Sequence, residues 1–278
     1  MNYRTISAMV AILAGAVSTP ALAEDRPDDF NGPYIAISGG LASRSGDTAD
    51  TVVFDTNRDG TYGDTVRTSG GADAFAPGFC NGSSTLNSMV TTPCTSDQDK
   101  FEYAARLGYD KRFGNMVGGL LIEGAGNNST DSSTAFSSTP AGYSFTRGID
   151  YSISARARVG YTPGGRGLFY VTGGGSYAKI NHTFTTTNAV NSFTPVNPDK
   201  MVWGYQGGAG AEILLGKNLT VGMEYLYNNY TDDKYFVAIR NGIAGPTNAF
   251  VLAGGVNFRP SDTSYDFHSF RATLGFRF

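Results

Sequence analysis

Between Tyr151 and Tyr161 the chain alternates without a break. Tyr151, Ile153, Ala155, Ala157, Val159 and Tyr161 are apolar or small, whereas Ser152, Ser154, Arg156, Arg158 and Gly160 are polar, charged or glycine. A period of two over eleven residues fits only an extended strand with one apolar and one wet face. The same period runs through Phe101 to Tyr109, Trp203 to Ile213, Leu219 to Tyr225 and Phe270 to Phe278. Strands of about 9 to 13 residues exceed the usual globular length but match a tilted strand that crosses a bilayer. Composition agrees: Gly numbers 37, Tyr 16 and Phe 18, while charged residues are 16%. That mixture is poor in helix formers and rich in strand formers.

The amino terminus assigns the compartment. Arg4 is followed by the apolar run Ile6 to Val17 and by Ala21-Leu22-Ala23, a small-residue cleavage site ahead of Glu24-Asp25-Arg26. This is the pattern of a secretory signal peptide over residues 1–23, cleaved after Ala23. About twelve apolar residues are too few for a spanning helix, and no later stretch reaches the roughly 20 needed. Membrane insertion must therefore be by strands.

Eight strands are expected, at about Gly32 to Ala42, Lys100 to Phe113, Asn115 to Gly126, Phe145 to Tyr161, Gly167 to His182, Lys200 to Leu215, Leu219 to Tyr230 and Tyr265 to Phe278. Phe113 to Asn115, Thr162 to Gly167 and Gly216 to Asn218 read as tight turns, and the other four connections as long polar loops, the first at about 43–99. Alternation of short and long connections is the mark of an all-β, antiparallel up-and-down barrel with short periplasmic turns and long extracellular loops. Gly173-Gly174-Gly175 blurs the fifth strand, so the facing of Tyr170 and Tyr177 stays open.

Several segments resemble a known family. Gly32-Pro33-Tyr34-Ile35-Ala36, Leu168 to Gly174, and Gly207 to Glu212 leading into Asn218 to Tyr225 are similar to the porin-family small outer-membrane proteins with an OmpA-like eight-stranded domain. The last strand, ending on Phe276 and Phe278, looks like the signal read by the outer-membrane insertion machinery. The resemblance implies a surface antigen or envelope-stabilising protein of a Gram-negative outer membrane, in contact with lipid and lipopolysaccharide. The long first loop, at about 43–99, departs from the family pattern.

Strand phase assigns a lumen. Glu102, Glu123, Glu212 and Glu224 fall on inward positions, as do Arg106, Arg156, Arg158 and Arg271, four acids against four bases. A charge on the lipid face would cost about 2 to 4 kcal/mol near the midplane. An inward one can find a partner, so a static polar core is expected, with switchable pairing as the functional alternative. Asp131 is expected on an exposed loop.

The first long loop carries two further features. Cys80 and Cys94 are the only cysteines, in a segment that passes through an oxidising periplasm, and a disulfide between them is expected. Asp55, Asn57 and Asp59 precede Gly60 with the spacing of half a calcium loop, which Asp64 could close early; Val66 stands where an EF-hand needs Glu. Two readings stand, a calcium site or an ordinary Asp/Asn/Gly turn cluster.

Other chemistries lack support. The net charge of -3 has no long basic run, so no nucleic-acid partner is expected. His182 and His268 are the only histidines, and His268 and Ser269, as strand neighbours, point to opposite faces. The reading is a non-enzymatic structural or surface-interaction barrel with an unidentified extracellular ligand and no cofactor unless calcium binds. The alternatives are a small-solute porin-like channel and a lipid A-modifying barrel enzyme.

Overall fold

The structure, a computed structural model, describes residues 29–44, 51–80, 99–139 and 141–278. Among these the strands are β1 (Gly32–Ser43), β2 (Val52–Asp55), β3 (Gly78–Phe79), β4 (Lys100–Phe113), β5 (Met116–Asn127), β6 (Thr130–Ser137), β7 (Ala141–Tyr161) and β8 (Gly167–Thr186). They continue with β9 (Ser192–Val196), β10 (Asp199–Leu215), β11 (Leu219–Thr231), β12 (Phe236–Arg240), β13 (Val256–Pro260) and β14 (Ser264–Arg277), with one helical turn, α1 (Ala249–Leu252), before β13. No helix among the described residues is long and apolar enough to cross a membrane. The expected signal peptide lies outside the described residues.

Eight strands close a barrel, each hydrogen-bonded antiparallel to its neighbours in the order β1, β4, β5, β7, β8, β10, β11, β14 and back to β1. Each coincides with one of the eight expected segments, within a few residues at every end. Closure leaves no edge strand in the wall, which a bilayer requires because lipid cannot satisfy free backbone groups. The outward positions form an apolar belt that includes Leu120, 69% exposed, and Trp203, 70% exposed. Inward positions alternate with them and are buried. Tyr170 points inward on β8, whereas Tyr177 lies on the outer face with its ring 4.6 Å from that of Trp203. The inward Gly210 is required here, because a Cβ there would stand 2.5 Å from the Tyr170 ring.

Beyond the belt the described parts of the long connections are folded, which corrects the expectation of polar loops. β2, β13, β12 and β9 make a second, four-stranded antiparallel sheet. β6 lies in the segment expected as a loop and pairs along the outer half of β7, which begins at Ala141. β8 likewise runs on to Thr186. Phe54, Phe75, Tyr143, Phe145, Val237, Ile239, Phe250 and Phe258 form one buried apolar cluster, so the connections build a cap with its own core.

Candidate functional site

A bulge in β7 between Ile149 and Tyr151 sets the interior. The extra residue, Asp150, switches the inward phase: above it Arg147 and Ile149 are buried, and below it Ser152, Ser154, Arg156 and Arg158 are. The barrel is therefore filled by different layers at different heights.

Its lower half holds one chain of charges. Glu102, Arg106, Glu123, Arg156, Arg158, Glu212, Glu224 and Arg271 are all buried in the interior. Two residues missed in the sequence join them, Asp110 on β4 and Arg277 on β14. From the turn end, Arg277 donates to Asp110 at 2.9 Å and Arg158 donates to Asp110 at 2.8 Å and to Glu212 at 2.8 Å. Glu212 lies 3.9 Å from Arg106, which donates to Glu224 at 2.7 Å. Arg156 joins Glu224 at 3.4 Å to Glu123 at 2.7 Å, and Arg271 joins Glu123 at 2.6 Å to Glu102 at 2.5 Å. Signs alternate along all ten, five acids against five bases. Tyr170 donates to Glu224 at 2.8 Å, and the Arg158 guanidinium sits 4.4 Å from the Tyr34 ring centroid. The missed pair had the signal of the others, since Asp110 shares the phase of Glu102 and Arg106, and Arg277 that of Arg271.

Apolar layers bracket this chain. Phe30, Val117, Leu168, Tyr170 and Leu214 cluster at the turn end, with the Arg277 guanidinium 4.8 Å from the Phe30 ring. At the other end a polar layer, in which Gln206 donates to Asn228 at 2.8 Å and Asn228 to Ser269 at 3.0 Å, leads to Ala42, Ile149, Ile180, Val202, Tyr230, Tyr265 and Phe267.

A second charge cluster sits at the outer mouth. Asp131 pairs with both Arg44 and Arg147, and it is 3% exposed. The expectation that Asp131 lies on an exposed loop is wrong, because β6 turns it into the mouth. Arg147 also reaches Asp232 at 3.3 Å and Asp262 at 3.3 Å. Burial acts to raise the Asp131 carboxyl, but the Arg147 and Arg44 charges and hydrogen bonds more than reverse it and hold it below the ordinary carboxylate range. His182 reaches into this cluster, whereas His268 lies on the outer wall with Nδ1 2.7 Å from the Tyr225 hydroxyl.

The remaining singled-out residues fall elsewhere. Asp55 accepts the amides of Asp59 and Gly60, Asn57 that of Asp59, Asp59 that of Thr61 and Asp64 that of Thr56, at 2.7 to 3.2 Å. These oxygens are occupied as in Asx turns, and among the described residues no group of three or more His, Cys, Asp or Glu side chains is placed to hold a metal ion. Cys80 is buried and its amide donates to Thr134 at 2.8 Å, while Cys94 lies outside the described residues. Phe276 and Phe278 face outward, with ring centroids 5.2 Å apart.

The chain is similar to known proteins over most of its length. Residues 9–278 match the family model described as an outer membrane protein beta-barrel domain. The chain is 27% identical over 263 residues to the 31 kDa outer-membrane immunogenic proteins of Brucella melitensis biotype 1 and Brucella suis biovar 1, covering 92% of this chain and 97% of each relative. The crystal structure of the outer membrane protein OprG from Pseudomonas aeruginosa aligns over 91% of this chain and 99% of its own, at 13% identity and a TM-score of 0.49. The outer membrane protease OmpT from Escherichia coli covers 94% of this chain and 100% of its own, at 13% identity and a TM-score of 0.38. A wall of eight long closed strands and a family match over nearly the whole length lead to one conclusion: the chain belongs to the outer membrane β-barrel protein family and resides in the outer membrane of a Gram-negative bacterium.

Proposed function

We propose that this chain is a structural and surface-interaction barrel, closed to solutes and without enzymatic activity, whose role is to hold a folded cap outside the cell. The unbroken alternation from Arg277 to Glu102 carries this reading. Each guanidinium in it has carboxylate partners, and opening a path means breaking pairs that are buried. Removing one partner of such a pair costs about 3 to 5 kcal/mol, so spontaneous opening is rare. The apolar layers at both ends add desolvation to any ion that enters. The name of the Brucella relatives, immunogenic outer-membrane proteins, suits a chain that displays a cap.

The partners that follow are outer-membrane lipid and lipopolysaccharide around the belt, the insertion machinery at Phe276 and Phe278, and an extracellular ligand on the cap. Cleavage after Ala23 and a Cys80–Cys94 bridge belong to the same reading; intact mass spectrometry of the exported protein under non-reducing conditions checks both. Lumen closure is tested in planar bilayers. The refolded protein should give no unitary conductance steps, and steps that vary with the charge at Glu123 or Glu224 would establish a small-solute channel instead.

A further inference from the structure

His182 stands at the outer end of β8, directly across from Arg147 of β7 and above the apolar belt. Its side chain is 2% exposed. Nε2 lies 2.8 Å from Asp232 Oδ2, and Nδ1 lies 2.9 Å from the carbonyl oxygen of Pro198. The ring stacks on Tyr235, with centroids 3.9 Å apart and planes 15° from parallel. A peptide carbonyl can only accept, and so can an ionised carboxylate. A neutral imidazole has one N–H and would turn a lone pair toward one of these oxygens, whereas an imidazolium donates to both.

The charges around the ring favour the same form. Arg44 just after β1 and Arg147 from β7 face Asp131 from β6, Asp232 after β11 and Asp262 before β14. Two cations against three carboxylates become three against three when His182 carries its proton. Exposed Asp99 accepts the Arg44 amide at 3.3 Å, and the Tyr265 ring lies 5.1 Å from the Arg44 guanidinium. Burial acts to raise the Asp232 carboxyl, but the hydrogen bond and charge of His182, joined by Arg147, hold it below the ordinary range, so it is ionised. Burial, and then the Asp232 charge, push the Tyr235 phenol up, so it stacks as a neutral ring.

The two acceptors belong to two crossings between wall and cap. Pro198 lies in the connection from cap strand β9 to wall strand β10, and Asp232 in the connection from wall strand β11 to cap strand β12. Tyr235 is part of the cap core. We propose that His182 is a proton-operated clamp: when protonated it fastens both crossings to the mouth of the barrel, and when it loses the proton one crossing is released and the cap loosens. A group that the clamped state holds protonated stabilises that state at low pH and loses its effect as pH rises. Asp131 and Asp232, held ionised, lose theirs only as pH falls through the acid range. Both contacts are therefore made while the ring carries two N–H groups, and one is lost with the second proton.

Amide hydrogen exchange of the refolded full-length protein in lipid nanodiscs reads this out. Moving from about pH 5.5 to about pH 8.5, either side of ordinary imidazole titration, should speed exchange in residues 183–198 and 232–240 by roughly tenfold beyond the intrinsic pH factor. That is the size of one lost charge-assisted hydrogen bond. His182→Gln should abolish the pH response, and His182→Lys should keep the segments protected at both pH values. An unchanged wild-type ratio, or the same response in His182→Gln, overturns the clamp. Should the variants not refold, nitrogen NMR of the His268→Gln protein decides: both His182 ring nitrogens should be protonated at the lower pH, and a neutral ring there ends the proposal.

Discussion

The wall of the barrel and the cap above it are built from the same kind of antiparallel strand, yet their contents are exchanged. Inside the wall lie Arg156, Arg158 and Arg271, each about 2% exposed, while Leu120 and Trp203 face outward. Inside the cap lie Phe54, Phe250 and Phe258, while Arg240 and Asp59 face outward. The backbone is indifferent to this exchange, because a strand sends alternate residues to opposite faces whatever they are. The solvent decides which set goes in. Lipid accepts apolar side chains and drives charge inward, where it must be neutralised pair by pair; water does the reverse. A fold that crosses from one solvent to the other needs a device at the boundary. Here it is the bulge at Asp150, which moves the inward phase of β7 from even to odd positions.

Removing a charge from the wall should therefore do more than removing anything else of similar size. Glu224 accepts from Arg106, Arg156 and Tyr170, so Glu224→Ala leaves two buried guanidinium groups short of a partner. The expected loss is about 3 to 5 kcal/mol in urea unfolding from lipid vesicles. A midpoint equal to wild type would mean that the lumen is wet enough to screen the pairs. In the cap, Phe258→Ala should cost about 3 to 4 kcal/mol by leaving a cavity among Phe54, Phe145 and Phe184. That loss should be local: limited proteolysis should open the cap while the barrel keeps its heat-modifiable migration on gels. Collapse of both together would show that wall and cap form one cooperative unit.

The two regions also differ in how far they can be read from sequence. Long strands in a uniform environment carry their phase for ten residues or more, so the wall and eight of its ten lumen charges are legible from alternation alone. Asp110 and Arg277 had the same phase and sit close to strand ends, where the alternation gives way to a turn or the terminus. The cap is illegible for a physical reason. Its strands β2, β9, β12 and β13 have four or five residues each, too short for a period to declare itself. Part of its core, such as Phe75 and Phe250, comes from outside the strands of its sheet. β6, Thr130–Ser137, is polar on both faces and reads as a loop, but its hydroxyls are satisfied across the pair, Ser132 with Thr146 and Thr134 with Ser144, both at 3.0 Å. The placement of Arg147 beside Asp131 and of His182 beside Asp232 depends on the bulge and on register, neither of which local composition encodes.

The exchange of solvents can be tested with one substitution made in both regions. Leu120 on the wall is 69% exposed and Ile243 on the cap is 86% exposed, so surface area alone ranks Ile243 as the more open site. Leu120→Arg should nevertheless destabilise the folded barrel by about 2 to 4 kcal/mol, because the new charge faces hydrocarbon. Ile243→Arg should change stability by no more than about 0.5 kcal/mol, because the cap surface meets water and the Ile243 side chain supports no core. The Ile243 backbone keeps its own anchor, an amide that donates to Val190 at 2.8 Å, and the substitution leaves it in place. Two matched unfolding curves in the same vesicles decide the matter. Equal and small effects would place Leu120 outside the bilayer and move the belt, whereas a large effect at Ile243 would mean that the cap surface is covered, by lipid or by a partner, in the folded state.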